Sequence, residues 1–201
     1  SSGSSLYGSD AMGGVIQLFT KGQNAQQSNV ALTIGGGTQN SYKGQITGQY
    51  VNDTSTLSLS TGYEKTDGIN ATRPDVGSNY FADKDGFESK SASFVAKHKI
   101  NDAVDVGVNG LVSKSTSDFD SGATLINTYS DQKNGAASAY INFNQDKLSA
   151  NLKYGQSFDK TTTYDSTSPQ GNTFDTTQKQ LNFQLGYKLP MGQMIAGLEL
   201  S

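Results

Sequence analysis

The 201-residue chain contains no cysteine and no tryptophan, one histidine and three prolines. Without cysteine, disulfide staples, zinc–thiolate sites and thiol nucleophiles are excluded, and the sequence carries no mark of a redox compartment. No apolar run approaches the ~18 residues that a membrane-spanning helix needs, and no stretch reads as a signal peptide. The formal net charge of −3 supplies no electrostatic basis for binding nucleic acid. Only 33% of residues are hydrophobic and the mean hydropathy is −0.53, so a water-soluble core is poorly supplied. A spanning β-strand, by contrast, needs only every second residue apolar and leaves no long run to detect.

What the chain has is alternation. After a polar linker over residues 22–28, Val30, Leu32 and Ile34 alternate with small or polar residues up to the Gly35-Gly36-Gly37 bend. Tyr42, Ile46 and Tyr50 continue the pattern, and Asn52-Asp53-Thr54-Ser55 turns the chain into Leu57, Leu59 and Tyr63. Phe94 and Ala96 run to the Asn101-Asp102 turn, and Val104, Val106, Val108 and Val112 return. Ala137, Ala139, Ile141 and Phe143 are followed by Leu148, Leu152 and Tyr154, then Leu181 through Leu189, and Pro190-Met191-Gly192 leads to Met194 and Leu198. A period of two over about nine segments is the signature of half-apolar strands.

Polar loops interrupt the alternation from Thr66 to Lys84, from about Asp118 to Ser130 and from about Lys160 to Thr173, and short and long connections are expected to alternate strictly. Short turns on one rim, long loops on the other, apolar faces toward lipid and wet faces such as Gln180, Asn182 and Gln184 toward a lumen describe an up-and-down outer-membrane barrel. Tyr50, Tyr63, Tyr154 and Tyr187 are expected near strand ends, as an interfacial girdle. The fold class predicted is all-β: an antiparallel transmembrane β-barrel, partial, of about nine strands. Two open edges, a small closed barrel and assembly with other chains all remain compatible with that count.

One segment has an order that composition does not explain. Leu6-Tyr7-Gly8-Ser9-Asp10-Ala11, then Gly13-Gly14-Val15-Ile16 and an apolar run closing on Thr20-Lys21, resembles the last segment of the plug domain of TonB-dependent outer-membrane transporters. Ser1 to Ser5 depart from that pattern, standing where the family usually has Arg-Gly-Pro. The resemblance implies the end of a plug over residues 1–24 and the first part of a barrel over residues 25–201. Because plugged transporters of this kind have about 22 strands, the chain is expected to be a fragment.

Within the family the chain is similar to the cobalamin receptors. Asp83-Lys84-Asp85-Gly86-Phe87, Phe119-Asp120 and Asp131 stand where those receptors hold calcium. The resemblance therefore implies calcium at Asp83, Asp85, Asp120 and Asp131, and ligand contact at Phe119, Asp120 and Ser121. Asn70 stands where a ligand aspartate is expected and Phe81 where a polar residue is expected, which implies weaker calcium binding or none. Read from residues alone, an Asp-Gly before a strand is equally ordinary turn chemistry, and the spacing fails as an EF-hand.

The implied function is uptake of cobalamin by a TonB-dependent receptor in the outer membrane of a Gram-negative bacterium. Its partners would be lipid, the TonB system and a small-molecule ligand, with no redox or organic cofactor. A receptor for a siderophore or other metal chelate, and a structural or adhesive barrel without transport, are the alternatives. Catalysis is not expected, since His98 is a lone histidine on an apolar strand face with no positioned carboxylate, and no phosphate loop precedes a helix.

Overall fold

The computed structural model describes residues 27–70, 83–120 and 128–201. The expected plug segment over residues 1–24, Phe81 and Ser121 lie outside them. The described residues form nine strands: β1 (Asn29–Gly37), β2 (Ser41–Val51), β3 (Ser55–Thr66), β4 (Phe87–Lys99), β5 (Val104–Asp118), β6 (Tyr129–Gln145), β7 (Leu148–Asp165), β8 (Ser168–Leu189) and β9 (Gly192–Leu200). They make one sheet in sequence order, β1 to β9, with every neighbouring pair antiparallel. This is the architecture of a partial up-and-down barrel. The edge strands β1 and β9 are not neighbours, so the sheet formed by the described residues is open.

Register turns nine local alternations into two continuous faces. Leu57 pairs with Ala96, Ala96 with Val108, Val108 with Ala139, Ala139 with Tyr154, and Tyr154 with Leu181. Each apolar set therefore falls on the same side, called here the outer face. Its side chains remain open: Leu59 is 57% exposed and Phe183 41%. Among the described residues the only buried hydrophobic side chain is Val95, on the opposite face. A sheet with so much exposed apolar surface and no core needs an apolar solvent against that face.

The inner face is wet and cross-linked. Asn151 Nδ2 donates to Asn142 Oδ1 at 2.5 Å, and Asn142 Nδ2 donates to Asp105 Oδ2 at 2.9 Å, one polar row across β5, β6 and β7. Gln45 Nε2 donates to Ser60 Oγ at 3.0 Å, and the hydroxyls of Thr47 and Ser60 lie 2.9 Å apart.

The apolar band runs obliquely to the hydrogen-bonded rows. On β5 it extends from Val104 to Val112, and on β8 from Leu181 to Leu189, nine residues in each case. In register, however, Val112 leads through Gly135 and Phe158 to Thr177, four residues beyond Leu181. Val104 leads through Phe143 and Ala150 to Leu185, four residues short of Leu189. Four residues of strand are roughly 13 Å, and three strand spacings are roughly 14 Å, so the strands tilt by about 40° to the band. Spanning barrels have that tilt and a strand span of about 9–11 residues.

The turn rim is held by asparagine caps. Asn52 Oδ1 accepts from the N–H of Thr54 at 3.0 Å and of Ser55 at 2.7 Å. Asn101 Oδ1 accepts from the N–H of Ala103 and of Val104, both at 2.9 Å.

The loop rim corrects two expectations. The connection between β1 and β2 is short, and β7 and β8 stay paired through the stretch expected as a third loop, closing at Asp165 and Ser168. Short and long connections therefore do not alternate strictly. Tyr154 consequently sits well inside β7 rather than near its end, although it still marks the loop-side edge of the apolar band. The reason is physical: beyond the membrane neither face needs apolar residues, so the Thr-rich run 160–164 forms strand without an alternation to reveal it.

Candidate metal and ligand site

Two loops, between β3 and β4 and between β5 and β6, meet on the loop rim. The Asp118 N–H donates to Gly86 O at 2.9 Å, bringing the end of β5 against the start of β4, and the Phe119 N–H donates to Thr128 O at 3.1 Å across the base of the second loop. The first loop folds back on itself through Asp85 N–H to Ile69 O at 3.0 Å, and its base is tied to the β1–β2 turn through Asp67 N–H to Gln39 O at 2.9 Å. Gly68 has a φ of +69°, and a Cβ there would run into the carbonyl of Asp85. Only glycine combines that backbone with that approach.

This folding gathers Asp83, Asp85 and Asp120: one carboxylate oxygen from each lies within 4.8 Å of the others. Oxygens that share a calcium ion at 2.3–2.6 Å lie at most about 5 Å apart, so the separation fits a hard divalent cation. Asp83 is exposed, whereas Asp85 and Asp120 are half-buried. Asp120 Oδ2 is buried and has no hydrogen-bond partner among the described residues. An orphaned buried carboxylate oxygen is costly unless a proton or cation satisfies it.

Electrostatics agree with the geometry. Partial desolvation, followed by the negative charges of Asp120 and Asp85, raises the pKa of Asp83 above its ordinary value. Asp118, beyond the apolar band on β5, is also raised, mainly by desolvation and further by the charge of Asp85, although a backbone bond from Gly86 works the other way. Its Oδ2 would lie 2.9 Å from a Cβ on Gly86. Asp118 therefore lies beside the acidic group, within electrostatic reach of Asp85, without being one of the three carboxylates that meet. The signal for it in the sequence is the Asp118-Phe119-Asp120 spacing.

Asp131 does not join the cluster. It is paired in register with Thr116 on the outer face of β6, and its Oδ1 accepts from Thr116 Oγ1 at 2.6 Å. Phe119, next to Asp120 in the chain, is partly exposed. His98 is hydrogen-bonded through Nδ1 to Ser55 Oγ at 2.8 Å, and the two residues are cross-strand partners. No carboxylate among the described residues is hydrogen-bonded to its other ring nitrogen, so the pair lacks the third member of a hydrolase triad.

No family model matches the chain. It is 28% identical over 155 residues to the vitamin B12 transporter BtuB of Vibrio vulnificus strain CMCP6, covering 77% of this chain and 24% of that protein. The corresponding protein of strain YJ016 is 29% identical over 155 residues, with coverage of 76% and 24%. The vitamin B12 transporter BtuB of Photobacterium profundum is 27% identical over 194 residues, 96% of this chain and 31% of that protein. The chain is thus similar over most of its length to vitamin B12 transporters, and spans between about a quarter and a third of theirs. These relatives are transporters rather than enzymes.

Proposed function

We propose that the chain is part of a TonB-dependent outer-membrane receptor that takes up cobalamin, with the Asp83, Asp85 and Asp120 loops ordered by calcium for ligand capture. The observation that carries the reading is the convergence of those three carboxylates on the loop rim of a membrane-type sheet, in a chain similar to vitamin B12 transporters. Calcium would offset two of the three negative charges, satisfy Asp120 Oδ2 and tie the two loops together. Phe119 and Asp120, with Ser121 beside them, would then face the incoming ligand from a fixed position. The sheet's wet inner face would line the passage, and the segment 1–24 would belong to the plug that closes it. The direct test is uptake of labelled cyanocobalamin by cells that depend on the full-length protein, with and without a proton-motive force and with a ferric siderophore as competitor. Energy-dependent cobalamin uptake that the siderophore leaves unchanged supports the reading. Uptake of the siderophore alone, or of neither, contradicts it.

A further inference from the structure

The inner face exposes large apolar side chains at few places. Among those on the described strands, only Leu111, Phe174 and Ile195 have the inner phase, and the others fall in register with the outer-face sets. Leu111 pairs with Ala136 beside Val112, and Ile195 pairs with Gly186 between Leu185 and Tyr187, so both stand level with the apolar band. Phe174 does not. It lies seven residues, roughly 23 Å of strand, beyond Leu181 on the loop side.

Phe174 is 68% exposed, and its neighbours of the same phase are polar: Asn172 and Thr176 along β8, Thr161 opposite it on β7, then Gln132 on β6. The ring therefore contributes little to the packing of the sheet. A single exposed apolar residue is ordinary, and what sets this one apart is its level. Phe119 lies seven residues beyond Val112, the corresponding edge of the band on β5. Its N–H bond to Thr128 O continues the β5–β6 ladder, which gives Phe119 the inner phase as well. The two phenylalanines thus stand at one height on one face. Three strand spacings, roughly 14 Å, and the four-residue offset of the oblique band, roughly 13 Å, set their backbones about 19 Å apart along the sheet. A bulky solute spans such a gap, whereas a single ion or amino acid does not. Asp120, next to Phe119 in the chain, brings the acidic cluster to the same rim.

We infer that Phe174 is a further solute-contacting residue of the mouth: its ring and that of Phe119 close on the apolar faces of one bulky solute, a macrocycle or chelate, held over the inner face of β5 to β8. The inference rests on the transport reading of the proposed function and adds to it a wall that the acidic loops do not supply.

The test titrates the full-length protein, in detergent with calcium, separately with cyanocobalamin and with a ferric siderophore, beside Phe174→Ala and Phe174→Tyr variants whose unfolding temperatures are recorded. The alanine variant is expected to bind the parent's solute about five- to tenfold more weakly, the scale of a lost aromatic contact. The tyrosine variant is expected to stay within about twofold, since it keeps the ring at a position where a hydroxyl meets water. Equal affinity in Phe174→Ala and the parent, an equal loss in Phe174→Tyr, or a loss matched by a fall in unfolding temperature overturns the inference, and where cyanocobalamin is the solute bound it leaves the cobalamin reading standing. A parent that binds only the siderophore, and binds it more weakly as Phe174→Ala, overturns cobalamin as the solute and supports the inference. A parent that binds neither overturns both.

Discussion

Gly68 lies directly under the carbonyl of Asp85, with a left-handed backbone that leaves no room for a side chain. The contact sets the course of the first loop, because Asp85 also donates its N–H to Ile69 O at 3.0 Å just beyond it. Gly68→Ala is expected to lower stability by about 1 kcal/mol or more through the positive φ alone, with displacement of Asp85 added to that. Calcium titration and proteolysis of the loop check it: weakened calcium binding with an otherwise intact sheet is the expected outcome, and unchanged calcium binding would contradict the role given to Gly68.

The raised pKa values of Asp83 and Asp118 give a pH dependence with a definite sign. A carboxyl whose folded pKa is raised stabilises the folded loop while protonated, and that contribution is lost as pH rises through the folded pKa. Without a divalent cation, the loops should therefore become more susceptible to protease as pH rises above the ordinary carboxylate value of about 4. Calcium should remove the trend. A chelator-treated protein whose loops become better ordered as pH rises would contradict the clustering.

The two faces of β8 respond differently to charge. Leu185→Arg on the outer face is expected to cost about 2–4 kcal/mol in a lipid environment, and Gln184→Arg on the inner face about 1 kcal/mol or less. Equilibrium unfolding from lipid vesicles measures both. Equal costs, or a larger cost at Gln184, would reverse the assignment of faces.

At the tip of the β7–β8 hairpin, Asp165 Oδ1 accepts from the N–H of Thr167 and of Ser168, both at 2.7 Å, and from Thr167 Oγ1 at 2.6 Å. The Thr167 hydroxyl, then the backbone donors, hold the Asp165 pKa below its ordinary value. The turn should keep its order above the ordinary carboxylate pKa and lose it as pH falls through the depressed value. Asp165→Ala is expected to speed exchange of the Thr167 and Ser168 amides severalfold without affecting the calcium loops. Unchanged exchange would show that strand pairing alone holds the tip.

Much of this architecture was legible because a membrane strand declares its lipid face residue by residue. The alternations at Val104–Val112 and Leu181–Leu189 placed every side chain on the face where register later joined them. The tip of β7 and β8 was illegible for the converse reason: Lys160 to Thr173 is polar on both faces, and pairing there rests on backbone bonds and β-branched threonines. At the site, Asp83, Asp85 and Asp120 could be grouped from the resemblance, and the structure brings their carboxylates together. Asp131 was grouped with them by sequence position, but its strand register points it toward Thr116 on the outer face. Asp118 reads in the sequence as the first residue of a polar loop, whereas the structure makes it the last residue of β5. Its proximity to Gly86 depends on pairing between β4 and β5, residues far apart in the chain.

The most direct measurement is calorimetric titration of the full-length protein with calcium and then with cyanocobalamin, beside an Asp83→Asn, Asp85→Asn variant. The expected result is calcium binding by the parent at pH 7, cobalamin binding that tightens when calcium is present, and loss of both the calcium heat and the tightening in the variant. Identical calcium heats in the two proteins, or cobalamin affinity that is the same with calcium and with chelator, would contradict a calcium-ordered cobalamin receptor.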